Sequence, residues 1–587
     1  MRNCHCLFPR QFLRGLVVLF LAASVGAQQA QQVTPPIPPP TIRVTTHMVL
    51  VDAVVTDKQG KAIPGLRPED FVVEENGKAQ KIVTLTTPAE NAPALAAPLP
   101  PGIYSNRPQD RSPGRPITVM LLDAVNTPFT DQAYARRQML EFVKEQFKPA
   151  DRMGVFTLTG SLNVLQDFTS DPQSLYTALQ RFNPQSQTFS NGFSGVTSSD
   201  GGPATAGSTV ASLDASTPPP SDSGSNPGGV RGGSGGSDLI ASSMAALQTF
   251  QGAQVGYARD QRTVITLAAL DSLARILGGL PGRKNLIWVA GDLRDFSFIP
   301  EDRAMTQEEI DEAQAGINTR RVGEHAAGNS EETFRTAHAQ QVRETAARLA
   351  SAQVAVYPVD ARGLSISGSI DSQEAMRDMA RETGGRAYVN QNEIKLGVER
   401  AFEDESAAYT IGYYPDNKKY DNKYRSIKVK VKRDGVEVQS RRGYYAIDST
   451  QIKGYNAQQE VALAAGDVVP STLISFRAQV KPPAPNSVPQ KIGVTFLVDG
   501  NTLSAEDGPG GAKHLKFEYY ATTYAGGKIV ASASKKADQT FDANTYQQIL
   551  LQGIMLHLDL DPQPGQLRLA VQDSRTGLVG TINATAP

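Results

Sequence analysis

Three apolar runs in this chain end on an aspartate. ITVMLL runs into Asp123, KNLIWVAG into Asp292 and VAVYPV into Asp360. Each run is continuously apolar rather than alternating, the pattern of a strand buried on both faces. Between them lie segments with apolar residues at helical spacing, such as Ala135, Met139, Phe142, Val143 and Phe147. Strand and helix patterns in alternation predict an α/β fold: a doubly wound, mostly parallel sheet with helices on both faces. The helical pattern continues through TVITLAALDSLARILGGL, SEETFRTAHAQQVRETAARLASA, SQEAMRDMARETGG and NEIKLGVERAFEDESA, and AYTIGYYP reads as a further strand.

A chain of 587 residues is too long for one core, so further domains are expected. Arg2, Arg10 and Arg14 precede GLVVLFLAASVGA, which ends in small residues and reads as a secretory signal peptide over 1–27. That run is shorter than the ~20 residues of a spanning helix, so no transmembrane segment is expected after cleavage. Export places the protein in a periplasm, on a cell surface or outside the cell. Both cysteines, Cys4 and Cys6, precede the apolar run, so the mature chain has no disulfide and no thiolate ligand.

Residues 28–41 form a Gln- and Pro-rich linker, and 42–88 alternate as a small β unit with turns at Asp57–Gly60 and Asn76-Gly77. A second linker covers 89–115. The α/β domain is expected over 116–447, interrupted at 184–238 by a Ser-, Gly- and Pro-rich insertion too polar to order. YRSIKVKVKRDGVEVQSRRGYYAI reads as a hairpin turning at Asp434-Gly435, with its lysines protecting a sheet edge. Residues 457–587 alternate throughout and predict a C-terminal β-sandwich.

In a doubly wound sheet, ligands bind at the carboxyl ends of the strands, where strand order switches. A buried carboxylate there needs a donor, water or a cation. Asp360 is expected to cap the next helix, and Asp123 is the stronger candidate for a site. Other chemistry is poorly supported. With 58 basic and 59 acidic residues, no global charge argues for nucleic acid. There is no His-Glu-x-x-His, no Gly-x-Ser-x-Gly and no P-loop, so the chain is not read as an enzyme. Of six histidines, His325 and His338 lie in one region and the others are scattered.

VMLLDAVNT, DRMGVFTLTG, FTSDPQSLYTAL, TVITLAALDSLARIL and KNLIWVAGD together resemble a von Willebrand factor A domain across roughly 116 to 415. VAVYPVDARGL, ETGGRAYVNQNEI and the β unit with VTDKQGKAIPGLRPEDFVVEENGKAQKI resemble its bacterial, exported branch. The resemblance implies a Rossmann-like sheet and a metal-ion-dependent adhesion site. In that site an Asp-x-Ser-x-Ser motif, a Thr and a later Asp hold Mg²⁺ for a partner's carboxylate. Carried over, the metal ligands are Asp123, Thr127, Thr263 and Asp292. Val125 stands where the first Ser belongs and cannot ligate, so the site is degenerate. The implied function is adhesion or protein–protein interaction with a protein or glycan ligand, through that ligand's acidic group. Two other classes stay open. One is a metal-independent structural or assembly protein of the cell envelope; the other is a hydrolase acting outside the inner membrane.

Overall fold

The computed structural model describes residues 48–88, 99–107, 110, 117–148, 152–184, 235–280, 282–296, 328–363, 370–390, 394–447, 469–484, 488–526 and 528–586. The expected signal peptide, the expected Pro-rich linker and nearly all of the expected 184–238 insertion lie outside them. Among the described residues no helix is long and apolar enough to cross a membrane. The fold is mixed α/β, with one parallel-containing sheet and several antiparallel ones.

The central sheet uses strands β1 (Ile117–Asp123), β2 (Met153–Leu158), β3 (Leu162–Thr169), β4 (Lys284–Ala290) and β5 (Val354–Asp360). Their order is β5-β4-β1-β2-β3. All neighbours are parallel except β3, which runs antiparallel at the edge. A lone parallel bridge from Val359 to Tyr388 extends the sheet past β5.

Among the described residues six helices accompany it: α1 (Phe129–Glu145), α2 (Pro172–Arg181), α3 (Gly235–Gly278), α4 (Gly328–Ser351), α5 (Ile370–Thr383) and α6 (Ile394–Ser406). The pleat sends alternate residues to opposite faces. Val119, Leu121, Leu286, Trp288 and Val356 pack with Leu270 and Leu273 of α3, Leu349 of α4 and Met376 of α5. Met120, Leu122, Ile287, Val289 and Tyr357 pack with Met139 and Phe142 of α1, Leu175 of α2 and Val398 of α6. Both faces are therefore covered, which is why these strands carry no polar alternation. Asp171 caps α2 by accepting from the amides of Gln173 and Ser174.

The N-terminal β unit does not close on itself. Val49–Asp57 lies between Ala408–Tyr413 and Val436–Ser440, with Ile82–Thr86 beyond. A second sheet takes Gly443–Tyr445, Tyr424–Val431, Phe71–Glu75 and Lys78–Gln80 in that order. Val51, Val55, Phe71, Val73, Tyr409, Ile411, Ile427 and Val429 form the core between them. This corrects two expectations. Ala408–Tyr413 leaves the parallel sheet, because its register partner is Val49–Val54 more than 300 residues earlier in the chain. The 424–440 stretch is no edge hairpin. After the turn at Gly435 (φ +75°) its second strand joins the other sheet, and Tyr424–Val431 sits between two neighbours. Lys430 meets Glu74 across strands at 2.5 Å, so the lysine face is partly neutralised.

The C-terminal region is a two-sheet sandwich. One sheet holds Ile103–Ser105, Phe476–Lys481, Ile492–Val498 and Ile554–Leu560; the other holds Ala505–Asp507, Lys513–Ala525, Gln566–Asp573 and Val579–Thr585, with Lys528–Phe541 paired onto Lys513–Ala525. Phe476, Phe496, Tyr519, Leu558 and Leu569 fill the space between. Ile103–Ser105 comes from the stretch expected to be linker. Part of the expected strand QILLQGIMLHLDL is helical: Ala543–Gln552 forms α7, capped by Asp542.

Candidate functional site

The site lies at the carboxyl ends of β1 and β4, between which the strand order reverses. Asp123 is the last residue of β1 and is buried. The chain turns sharply after it, so its side chain meets the backbone that follows. Oδ1 accepts from the amides of Val125 and Asn126, both at 2.9 Å. Oδ2 accepts from Asn126 Nδ2 at 2.7 Å and from the indole Nε1 of Trp288 at 2.9 Å. Trp288 lies on β4, fully buried, and its ring contacts Phe296. Asn126 also donates from Nδ2 to Thr266 Oγ1 at 2.9 Å, and Thr266 donates to Arg262 O at 2.8 Å. A continuous polar chain thus joins β4, the post-β1 loop and α3. Burial pushes the Asp123 carboxyl above its ordinary range, and its four N–H donors pull the other way without offsetting it.

The remaining expected ligands are distributed differently. Thr127 is buried, and its Oγ1 accepts from the amide of Gly291 at 3.0 Å. The amide of Asp292 donates to Asn126 O at 2.9 Å, so the post-β1 and post-β4 loops are stitched together. Gly291 is required at that contact, since a Cβ there would lie 2.9 Å from Pro128 Cδ. Thr263 is buried on α3 and donates back to Arg259 O at 3.1 Å. Thr266, less than one turn further along, is the α3 residue that reaches the loop.

Asp292 is clamped by Arg294. Its Oδ1 accepts from the Arg294 amide at 3.2 Å and Nε at 3.1 Å, and Oδ2 from Nε at 2.9 Å. Burial raises the Asp292 carboxyl, but the Arg294 hydrogen bonds and charge outweigh it and hold it below its ordinary value. Asp360 repeats the arrangement one strand over. Its Oδ1 accepts from the Arg362 amide at 3.0 Å and Nε at 2.9 Å, and Oδ2 from the Arg362 guanidinium at 3.0 Å. Asp360 therefore does not cap a helix, as the sequence suggested; a guanidinium two residues on satisfies it. The shared Asp-x-Arg spelling after a buried strand was the signal for both clamps.

Mg²⁺ needs near-octahedral oxygen ligands at ~2.0–2.1 Å. Here both Asp123 oxygens face N–H hydrogens, and an indole nitrogen has no acceptor to offer a cation. Val125 is buried and apolar, Thr263 is turned onto its own helix, and Asp292 carries its own guanidinium. The residues present do not fit a divalent cation. Asn126, Thr266 and Trp288, which the sequence reading passed over, occupy the centre of the site instead.

No protein-family profile and no curated protein matches the chain. Among solved structures, the chain is similar to an aerotolerance-related membrane protein from Bacteroides fragilis NCTC 9343, crystallised with multiple mutations to serine. The identity is 13%, covering 50% of this chain and 98% of that one, at a TM-score of 0.22. A likeness at that TM-score carries no inference about fold or role.

Proposed function

We propose that this chain is an exported von Willebrand factor A-type binding scaffold of the bacterial envelope whose sheet-end site works without a metal. Three features support the A-type reading. They are the strand order with one antiparallel edge, the helices on both faces and an aspartate at the switch point. The observation that carries the metal-free reading is the Asp123 carboxylate, shared among Val125, Asn126 and Trp288. Partners would then meet the loops after β1, β4 and β5 by packing and hydrogen bonding, not by completing a Mg²⁺ shell with a carboxylate. This favours the structural or assembly role over metal-dependent adhesion.

Melting of the mature protein in EDTA and in millimolar Mg²⁺ tests the reading. A ligand held at a hundred times its Kd stabilises the native state by about 2.7 kcal/mol. Coincident melting curves are expected. A rise in Tm with Mg²⁺, or a crosslinkable partner that dissociates on chelation, would contradict it.

A further inference from the structure

The C-terminal end of α3 is capped only in part by its own turn, where the Leu280 amide donates to Leu277 O at 3.0 Å. Thr472, in the segment leading into the C-terminal sandwich, completes the cap. Its Oγ1 donates to Ile276 O at 2.9 Å and accepts from the Gly279 amide at 3.0 Å, while its own amide donates to Arg275 O at 3.3 Å. The adjacent Ser471 touches both sides: its Oγ lies 3.2 Å from Arg275 O on the helix and 2.6 Å from Val579 O in the sandwich. Its amide donates to Thr581 Oγ1 at 2.8 Å, and its carbonyl accepts from the Thr581 amide at 2.9 Å and from Asn106 Nδ2 at 2.9 Å. One dipeptide thus ties a helix end to the sandwich.

The Gly278-Gly279 pair makes this approach possible. A Cβ on Gly279 would fall 1.7 Å from Thr472 O, and one on Gly278 would fall 2.4 Å from Leu473 Cδ2. Orphan carbonyls at a helix end need partners, and here the partners come from a distant part of the chain.

The same helix reaches the Asp123 site. Thr266 accepts from Asn126, which in turn holds Asp123. Ten residues separate Thr266 from Ile276, so the two contacts sit about 15 Å apart on one rigid helix. Arg348 pairs with Asp271 midway, so α4 is fixed to the same rod.

We propose that the C-terminal sandwich is a latch on α3 that holds the Asp123–Asn126–Thr266 hydrogen-bond network in place. A displacement of Thr266 must strain the Thr472 cap, and release of the cap loosens the network around Asp123. This goes beyond the metal-free reading and does not depend on it.

The chain's one tryptophan reports on that network directly, because Trp288 donates to Asp123. The test is Thr472→Val in the full mature chain. It is read by hydrogen exchange over residues 275–280 and by acrylamide quenching of Trp288, with Thr472→Ser as the hydroxyl-restoring control. Expected is faster exchange at the helix end together with about a twofold rise in quenching and a red shift in emission, both reversed by the Ser variant. Faster exchange with unchanged Trp288 quenching would overturn the coupling, and unchanged exchange would overturn the latch itself. If Thr472→Val does not fold, Thr581→Val loosens the sandwich side without touching α3, and the same two readouts decide.

Discussion

The indole Nε1 of Trp288 lies 2.9 Å from Oδ2 of Asp123, both side chains buried, at the carboxyl end of the parallel sheet. This single hydrogen bond spans the switch point between β1 and β4. A donor with no acceptor capacity occupies one lone-pair direction of Oδ2.

Asp123 is a structural keystone on this account. Asp123→Ala leaves the amides of Val125 and Asn126, the Asn126 side chain and the Trp288 indole without their acceptor. Loss of a buried acceptor of this kind costs roughly 2–4 kcal/mol. Asp123→Asn keeps an oxygen for part of the set and should cost about half as much. Urea unfolding, compared at constant m-value, separates the two.

Asp292 and Asp123 should titrate with opposite sign. The carboxyl of Asp292 is held below its ordinary value of 3.8. Its contribution is therefore present above the unfolded pKa and is lost as pH falls through the folded one. The carboxyl of Asp123 is raised by burial. Its contribution is full below the unfolded pKa and is lost as pH rises through the folded value. Urea midpoints between about pH 3 and 7 are expected to show a shallower acid limb in Asp292→Asn. In Asp123→Asn, the gain that the wild type makes on mild acidification should disappear. Parallel profiles for all three proteins would contradict both assignments.

Gly385 fixes the packing of the post-α5 turn on β5. A Cβ there would lie 1.9 Å from the carbonyl oxygen of Val356, a backbone atom that cannot yield by a rotamer change. Gly385→Ala is expected to cost about 3 kcal/mol, measured as a fall in the urea midpoint. An equally stable variant would show that the β5 approach is looser than described.

The parallel sheet was legible because its strands are buried on both faces, and continuous apolar runs such as ITVMLL state that directly. The place of Asp123 was legible for the same reason, as the first charge after such a run. Its partners were not. Asn126 looks like a spacer between candidate ligands, and Trp288 looks like one more apolar strand residue. Whether Thr263 or Thr266 faces the Asp123 site depends on helix rotation, and both are buried. The β pairings failed where they are non-local. Nothing near Val49–Asp57 marks Ala408–Tyr413 as its neighbour. The Asp434-Gly435 turn announced a reversal, but a turn does not state which sheet the next strand joins.

Calorimetric titration of Mg²⁺ and Mn²⁺ into the mature protein, alongside Asp123→Ala, tests the central claim most directly. The account expects no saturable heat from either protein at millimolar metal, since both oxygens of Asp123 already serve Val125, Asn126 and Trp288. Stoichiometric binding to the wild type that Asp123→Ala abolishes would contradict it and restore a working metal site at Asp123.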